Sequence, residues 1–195
     1  MNNNKINYLD ENDNSISYAQ GDMCNAYADG SVGILSSGLI WLFTSISAFQ
    51  YGDAKAIWVL LVGGMLIHPI STLVSRSLGL NGVHSAKNYF GKAAMEGTVF
   101  MLMCIPLAFG LSLIHKEWFF QGMLMIIGGR YLTFSTIYGK KIYWFLGGIL
   151  GISAFLLFKF NAPVLTSALT GSCVEIAFGI FMLINFRKRQ LNQEL

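Results

Sequence analysis

Six apolar stretches, each about as long as a membrane-spanning helix, alternate with polar segments along the chain. A helix that crosses a bilayer needs about 20 mostly apolar residues, because hydrocarbon offers its backbone no hydrogen-bond partners. The pattern predicts spans at approximately Ser31–Gln50, Ala56–Val74, Ala93–Ile114, Trp118–Tyr138, Ile142–Phe158 and Pro163–Phe186. We therefore predict an all-α fold: a polytopic membrane protein whose single domain, residues 31–186, is a bundle of six transmembrane helices.

Polar segments flank this domain at both ends. Residues 1–30 form a polar leader, in which apolar and small residues from Ile16 to Gly30 follow helical spacing. This spacing predicts a short helix that lies at the membrane surface and runs into the first span. Residues 187–195 begin with three consecutive basic residues and form a basic tail.

The distribution of Lys and Arg predicts the orientation of the spans. The leader, the tail and the connections Ser75–Lys92 and Gly139–Lys141 together hold nine basic residues, whereas the remaining connections hold three. Basic residues are enriched in cytoplasmic segments of membrane proteins. We therefore expect both termini to lie in the cytoplasm.

Aromatic residues at the predicted ends of the spans suggest two belts at the membrane interfaces, where amphipathic rings are favoured. The outer belt would consist of Trp58, Trp118, Phe119 and Phe120, and the inner belt of Tyr138, Tyr143 and Trp144.

Small residues at a spacing of four predict close helix packing, because they let two backbones approach each other. Gly147 and Gly151 have this spacing in the fifth span, and Gly33 has it with Ser37 in the first. In the sixth span, Gly171 and Gly179 flank Glu175 at the same spacing and predict a tightly packed face.

Composition supports the membrane assignment and excludes other classes. The chain is 54% hydrophobic and 12% charged, so a water-soluble fold of 195 residues could not cover its apolar surface. The expected partner is the lipid bilayer, and a homo-oligomer is compatible with the sequence. A net charge of +3 gives little support for nucleic-acid binding, and three scattered cysteines predict neither a disulfide framework nor a metal site.

Three ionisable residues lie near the middle of predicted spans. His68, Arg130 and Glu175 are each 12 positions from the start of an inward-running span. At the rise of an α-helix this is about 18 Å below the outer hydrocarbon edge, so the three side chains should share one level. A fourth, Glu96, lies about one turn inside the cytoplasmic edge.

These residues are the candidate substrate-binding set, since intramembrane charge marks function by default. On this hypothesis His68, Arg130, Glu175 and Glu96 bind a proton, an ion or a small polar solute. The alternative is structural: Arg130 and Glu175 form an interhelical ion pair, His68 is its hydrogen-bond neighbour, and the set fixes helix register.

No motif indicates an enzyme, a metal site or a cofactor. The histidines fall at different depths, and the chain has neither a nucleophile elbow nor a phosphate-binding loop. An enzyme is therefore not the favoured class, and no catalytic residue is assigned.

Three motifs resemble a family of small bacterial membrane proteins catalogued as a domain of unknown function. They are the run from Asn25 to Gly33, the segment from Gly63 to Pro69, and the segment from Ile127 to Leu132. The resemblance covers residues 25 to about 185 and implies six spans and a bacterial inner (plasma) membrane location, but no activity.

The sequence thus favours a small secondary transporter or permease for an ion or small polar solute. The alternative class is a non-transporting assembly partner or sensor in the membrane, whose intramembrane charges are structural.

Overall fold

The structure, a computed structural model, describes the backbone of residues 3–80 and 82–193 and the side chains of residues 15–80 and 82–192. All regular secondary structure in the described residues is helical, which confirms the all-α prediction. The helices are α1 (Asn3–Tyr27), α2 (Ser31–Tyr51), α3 (Asp53–Ser77), α4 (Tyr89–Ser112), α5 (Lys116–Tyr138), α6 (Ile142–Lys159) and α7 (Val164–Gln193), with a short 3-10 helix, Ala28–Gly30, between α1 and α2.

Five helical stretches of the described residues are long and apolar enough to cross a membrane. They are Ser15–Tyr51, Asp53–Ser77, Tyr89–Ser112, Ile142–Lys159 and Val164–Asn192. The helix that does not reach this apolarity is α5, which corresponds to the predicted span Trp118–Tyr138. Its polarity has a structural reason, because α5 is enclosed by other helices.

Helices α2 to α7 form two groups of three, which meet mainly where α7 contacts α5 and α6. In one group α2 packs between α3 and α7, and in the other α5 packs between α4 and α6. Helix α5 also contacts α1, α3 and α7, so it has neighbours on most sides. A helix in this position presents little surface to lipid, and its polar residues can face protein.

Most of the predicted aromatic belt residues belong instead to the core. Phe119, Phe120 and Tyr143 are fully buried, and Tyr138 is nearly so. Trp58 and Trp144 are exposed, as an interface position requires. The belt prediction was wrong for the buried rings because the position of a ring along its helix does not determine which side of the helix it occupies.

Glycines bring α5 and α6 into backbone contact. A Cβ atom added to Gly147 would lie 2.5 Å from the carbonyl oxygen of Gly128, and one added to Gly128 would lie 3.2 Å from the amide nitrogen of Gly151. The close packing predicted for Gly147 and Gly151 is therefore confirmed. Gly33 has open space around its Cα, so the close contact predicted there was wrong, and the close contact on α2 is at Gly38 instead.

The four segments predicted to lie in the cytoplasm meet at one end of the bundle. In the connection between α3 and α4, the backbone amide of Ser85 donates to the Asp22 carboxylate of α1 at 2.9 Å. Asp29, just after α1, contacts Lys140 of the α5–α6 connection and Arg189 near the end of α7. Leader, both connections and tail are thus on the same side of the helices.

Replacing Gly147 by Ala should lower the stability of the protein by about 1–3 kcal/mol, because the α5 and α6 backbones must separate to admit the methyl group. The matched control is Gly148→Ala, since nothing lies within 4 Å of a Cβ atom at that position. Thermal or denaturant unfolding in detergent measures both. Equal stability of the two variants would contradict the contact.

Candidate functional site

Glu175 of α7 is fully buried at the interface with α2. One of its carboxylate oxygens, Oε1, accepts a hydrogen bond of 2.9 Å from the hydroxyl of Tyr131 on α5. The other, Oε2, is buried without a partner among the side chains and backbone that the structure describes. A buried polar atom left unpartnered costs free energy, so the burial of this carboxyl group destabilises the folded protein unless the group has a use.

Close packing of α7 on α2 encloses the carboxyl group. A Cβ atom at Gly38 of α2 would lie 3.0 Å from the backbone nitrogen of Ile176 and 3.2 Å from Cβ of Glu175. One turn to either side of Glu175, Gly171 approaches Trp41 and Gly179 approaches Leu35. The tightly packed face predicted for α7 is therefore confirmed, and α2 is the helix that it contacts.

Ser37 of α2 completes the surroundings of the carboxyl group. Ser37 is buried and directly precedes Gly38, where an added Cβ atom would lie 3.2 Å from Cβ of Glu175. Three helices thus supply one polar group each: a hydroxyl from α2, a phenol from α5 and a carboxyl from α7. We refer to Ser37, Tyr131 and Glu175 as the carboxyl triad.

Arg130 does not form the predicted ion pair with Glu175. Its Nη2 donates to Thr98 Oγ1 of α4 at 2.9 Å, its Nη1 lies 3.7 Å from Met101 Sδ, and its Cζ is 5.1 Å from the ring centroid of Phe134. Successive residues of a helix point about 100° apart, so α5 directs Arg130 to α4 and Tyr131 to α7.

His68 also lies apart from Glu175. It is exposed on α3, and the hydroxyls of Ser71 and Thr72 donate to its backbone carbonyl at 2.9 and 3.0 Å. The predicted contact between His68 and the Arg130–Glu175 cluster was therefore wrong. No residue of α3 from Gly64 to Val74 is buried, which leaves this histidine on the outer surface of the bundle.

Glu96 is exposed on α4. Its neighbours Gly97 and Thr98 face α5, and Thr98 accepts the hydrogen bond from Arg130. Glu96 therefore lies on the opposite side of α4. Of the four predicted site residues, the structure places one, Glu175, in a fully buried polar cluster.

A second polar centre, at Asp29, was missed by the sequence reasoning. Asp29 is 3% exposed, and its Oδ2 forms ion pairs with Lys140 Nζ at 3.1 Å and with Arg189. Its backbone carbonyl accepts a hydrogen bond of 2.6 Å from the hydroxyl of Tyr143 on α6. Ala28, Asp29 and Gly30 all have positive φ, so the chain turns sharply between α1 and α2. The Asp-Gly pair in the sequence was the available signal, since both residues tolerate this backbone region.

Aromatic rings lie between the two polar centres. Tyr131 is 6.2 Å from Tyr143 between ring centroids, and Tyr143 stacks on Tyr138 at 5.4 Å. The region from Asp29 to Glu175 is therefore filled by side chains. In the part of the chain that the structure describes, no group of three His, Cys, Asp or Glu residues is placed to hold a metal ion.

Comparison with known protein families assigns the chain to one of them. A profile described as a family of unknown function, DUF7010, matches residues 16–185, which is most of the chain. The chain belongs to this family. The match begins within α1 and ends within α7, so the DUF7010 region includes the carboxyl triad and Asp29. Searches of curated proteins and of solved structures give no match.

Tyr131 and Glu175 should be energetically coupled. In a double-mutant cycle of Tyr131→Phe and Glu175→Met, we expect a coupling of about 0.6 kcal/mol and at most about 1.7 kcal/mol, the range of interhelical hydrogen bonds in membrane proteins. Unfolding in detergent or bicelles measures each corner of the cycle.

The control cycle combines Arg130→Met with Glu175→Met, whose effects should add because the two side chains do not touch. Coupling in the Arg130 cycle together with additivity in the Tyr131 cycle would support an Arg130–Glu175 ion pair and contradict the Tyr131–Glu175 hydrogen bond.

Proposed function

We propose that the chain is a six-span protein of the bacterial inner membrane, with both termini in the cytoplasm, and that it is a small secondary transporter or permease. In this proposal Glu175 is the group that binds and releases a proton as an ion or small solute crosses. The single observation that carries the proposal is the complete burial of Glu175 inside the bundle with one carboxylate oxygen unpartnered. The sequence predicts that this residue lies near the middle of the sixth span.

Membrane proteins rarely keep an ionisable residue at this depth without a use for it, because burial is costly. Arg130 does not neutralise Glu175 by contact, and Tyr131 satisfies only one of its oxygens. An ion pair that merely fixes helix register would bring the two charges together. The observed separation therefore favours a carboxyl group that changes its protonation state.

The proton is the favoured ligand because the site is closed. Glu175 is 0% exposed, and Ser37 and Gly38 beside it on α2 are buried, so a larger solute does not reach Glu175 in this arrangement of the helices. A proton can bind the free oxygen without further space. Transport would then require α7 to separate from α2, which exposes Glu175 to one side of the membrane at a time.

The six-span topology is supported by the packing of α5 and by the meeting of the polar segments. Helix α5 is enclosed by its neighbours, so its lower apolarity is compatible with a place inside the bilayer. The leader, the tail and two connections meet at one end of the bundle. A chain that crosses the membrane an even number of times has both termini on the same side, so this arrangement is compatible with six spans. The excess of basic residues in these segments favours the cytoplasmic side.

The alternative is a non-transporting assembly partner or sensor. The observation that favours it is the tight contact of Gly38 with the α7 backbone, which leaves Glu175 in a dry interface. In that case the carboxyl triad would be a fixed structural link between α2, α5 and α7.

Reporter fusions test the topology. Fusions after Ala86 and at the C-terminus should read cytoplasmic, and fusions after Lys55 or Lys159 should read external, because basic segments are retained inside. An external C-terminus together with a cytoplasmic Lys159 would mean that the chain has a different number of crossings.

Transport is tested with purified protein in liposomes that contain a pH-sensitive dye and receive a panel of ions and small solutes. At least one member of the panel should change the internal pH, and Glu175→Gln should reduce this change to that of protein-free liposomes, because glutamine cannot bind the proton.

The matched control is Glu96→Gln, which removes an exposed carboxylate from another membrane helix and should leave the flux intact. A flux that survives Glu175→Gln would contradict the role of Glu175. The absence of flux for every solute, in folded wild-type protein, would favour the structural alternative.

A further inference from the structure

A cleft of about 280 Å³ opens between α6 and α7 at the end of the bundle where the polar segments meet. Its polar lining consists of Asp29, Lys140, Lys141 and Asn185, and its apolar lining of Ile142, Phe181 and Met182. Because α6 and α7 touch over only a small part of their length, the groove between them is open to the surroundings of the bundle.

The polar end of the cleft has an excess of positive charge. Asp29 pairs with Lys140 and Arg189, and one carboxylate can neutralise only one of these two cations. Lys141 is exposed and has no ion-pair partner within the described residues. It directly precedes α6, whose N-terminal end adds a partial positive charge at the same place. The cleft therefore has the electrostatics of an anion site.

The apolar side chains of the cleft lie next to its polar end, in the same order as the acyl chains and the headgroup of a lipid. On α7, Phe181 lies one turn below Asn185 toward the middle of the helix, and its ring is 55% exposed. On α6, the exposed side chains of Phe145 and Ile149 continue the same progression after Lys141. An anionic headgroup at the lysines would thus place its acyl chains along apolar side chains.

We propose that this cleft binds an anionic phospholipid, with the phosphate at Lys140 and Lys141 and an acyl chain along Ile142, Phe181 and Met182. Basic pockets between transmembrane helices on the cytoplasmic side are suited to such headgroups. Bound lipid would bridge the N-terminal end of α6 and the last turns of α7, and so stabilise the junction at Asp29. This inference depends on the membrane placement of the chain and not on transport.

A second cleft provides an internal comparison. It has a volume of about 370 Å³ and is lined by Tyr18, Gly21, Asp22, Asn25, Ala26 and Val83. The charged residue of this lining is acidic, so an anionic lipid should not prefer it. Specific binding of anionic lipid is therefore expected at the α6–α7 cleft.

Native mass spectrometry of the detergent-purified protein, titrated with phosphatidylglycerol or with phosphatidylcholine of identical acyl chains, tests the proposal. Wild-type protein should retain phosphatidylglycerol in preference to phosphatidylcholine. Lys141→Gln should weaken phosphatidylglycerol binding about fivefold, the contribution of one lysine near an anionic lipid. Lys141 is exposed, so this variant should fold normally, which a melting curve verifies.

Lys159→Gln is the matched control, because it makes the same change at the opposite end of α6 and should leave binding unchanged. Phe181→Ala should weaken phosphatidylglycerol binding, whereas Phe155→Ala, which alters an exposed ring outside the cleft, should not. Equal retention of the two lipids, or equal losses in the two lysine variants, would overturn the proposal.

Free glycerol phosphate distinguishes a lipid site from a site for a soluble phosphate. In excess it should not displace phosphatidylglycerol, because it lacks the acyl chains that occupy the apolar wall. Displacement at concentrations comparable to those of the lipid would show that the cleft takes a soluble phosphate, and the lipid assignment would be wrong.

Discussion

The close approach of α7 to α2 constrains the rest of the bundle, because it encloses the Glu175 carboxyl group between two backbones. Gly38, Gly171 and Gly179 make this approach sterically feasible, since any side chain at these positions would meet the opposite helix. The enclosed carboxyl group then needs a donor, and Tyr131 of α5 supplies it. This hydrogen bond links the group of α2, α3 and α7 to the group of α4, α5 and α6.

The sequence predicts the helices because their apolar length is visible in the residue pattern. It placed Arg130 and Glu175 at one level and predicted the tightly packed face of α7. It did not predict that Arg130 turns toward Thr98 while Tyr131 reaches Glu175. Which of these two residues contacts Glu175 depends on the rotation of α5 about its axis. That rotation is determined by the packing of α5 against five neighbouring helices.

The burial of the aromatic rings and the ion pairs of Asp29 were also not predictable from the sequence, because they too depend on how the helices pack. Phe119 and Tyr143 occur where interface belts are expected, yet they face the core because the rotation of their helices directs them inward. Asp29 lies in the leader, where the spacing from Ile16 to Gly30 predicted a surface helix, and its partners Lys140 and Arg189 are distant in sequence. Contacts between termini and connections at one end of a bundle leave no periodic pattern in the sequence. The basic residues therefore predicted only the orientation of the spans, and not their contacts with Asp29.

The buried Glu175 carboxyl group is in contact with Tyr131 and not with Arg130. The infrared absorption of the Glu175 carboxyl group, identified as the band that Glu175→Gln removes, reports on that contact directly. Tyr131→Phe should shift this band because the hydrogen bond to Oε1 is lost, whereas Arg130→Met should shift it less. A band that moves with Arg130→Met and is unchanged by Tyr131→Phe would contradict the account.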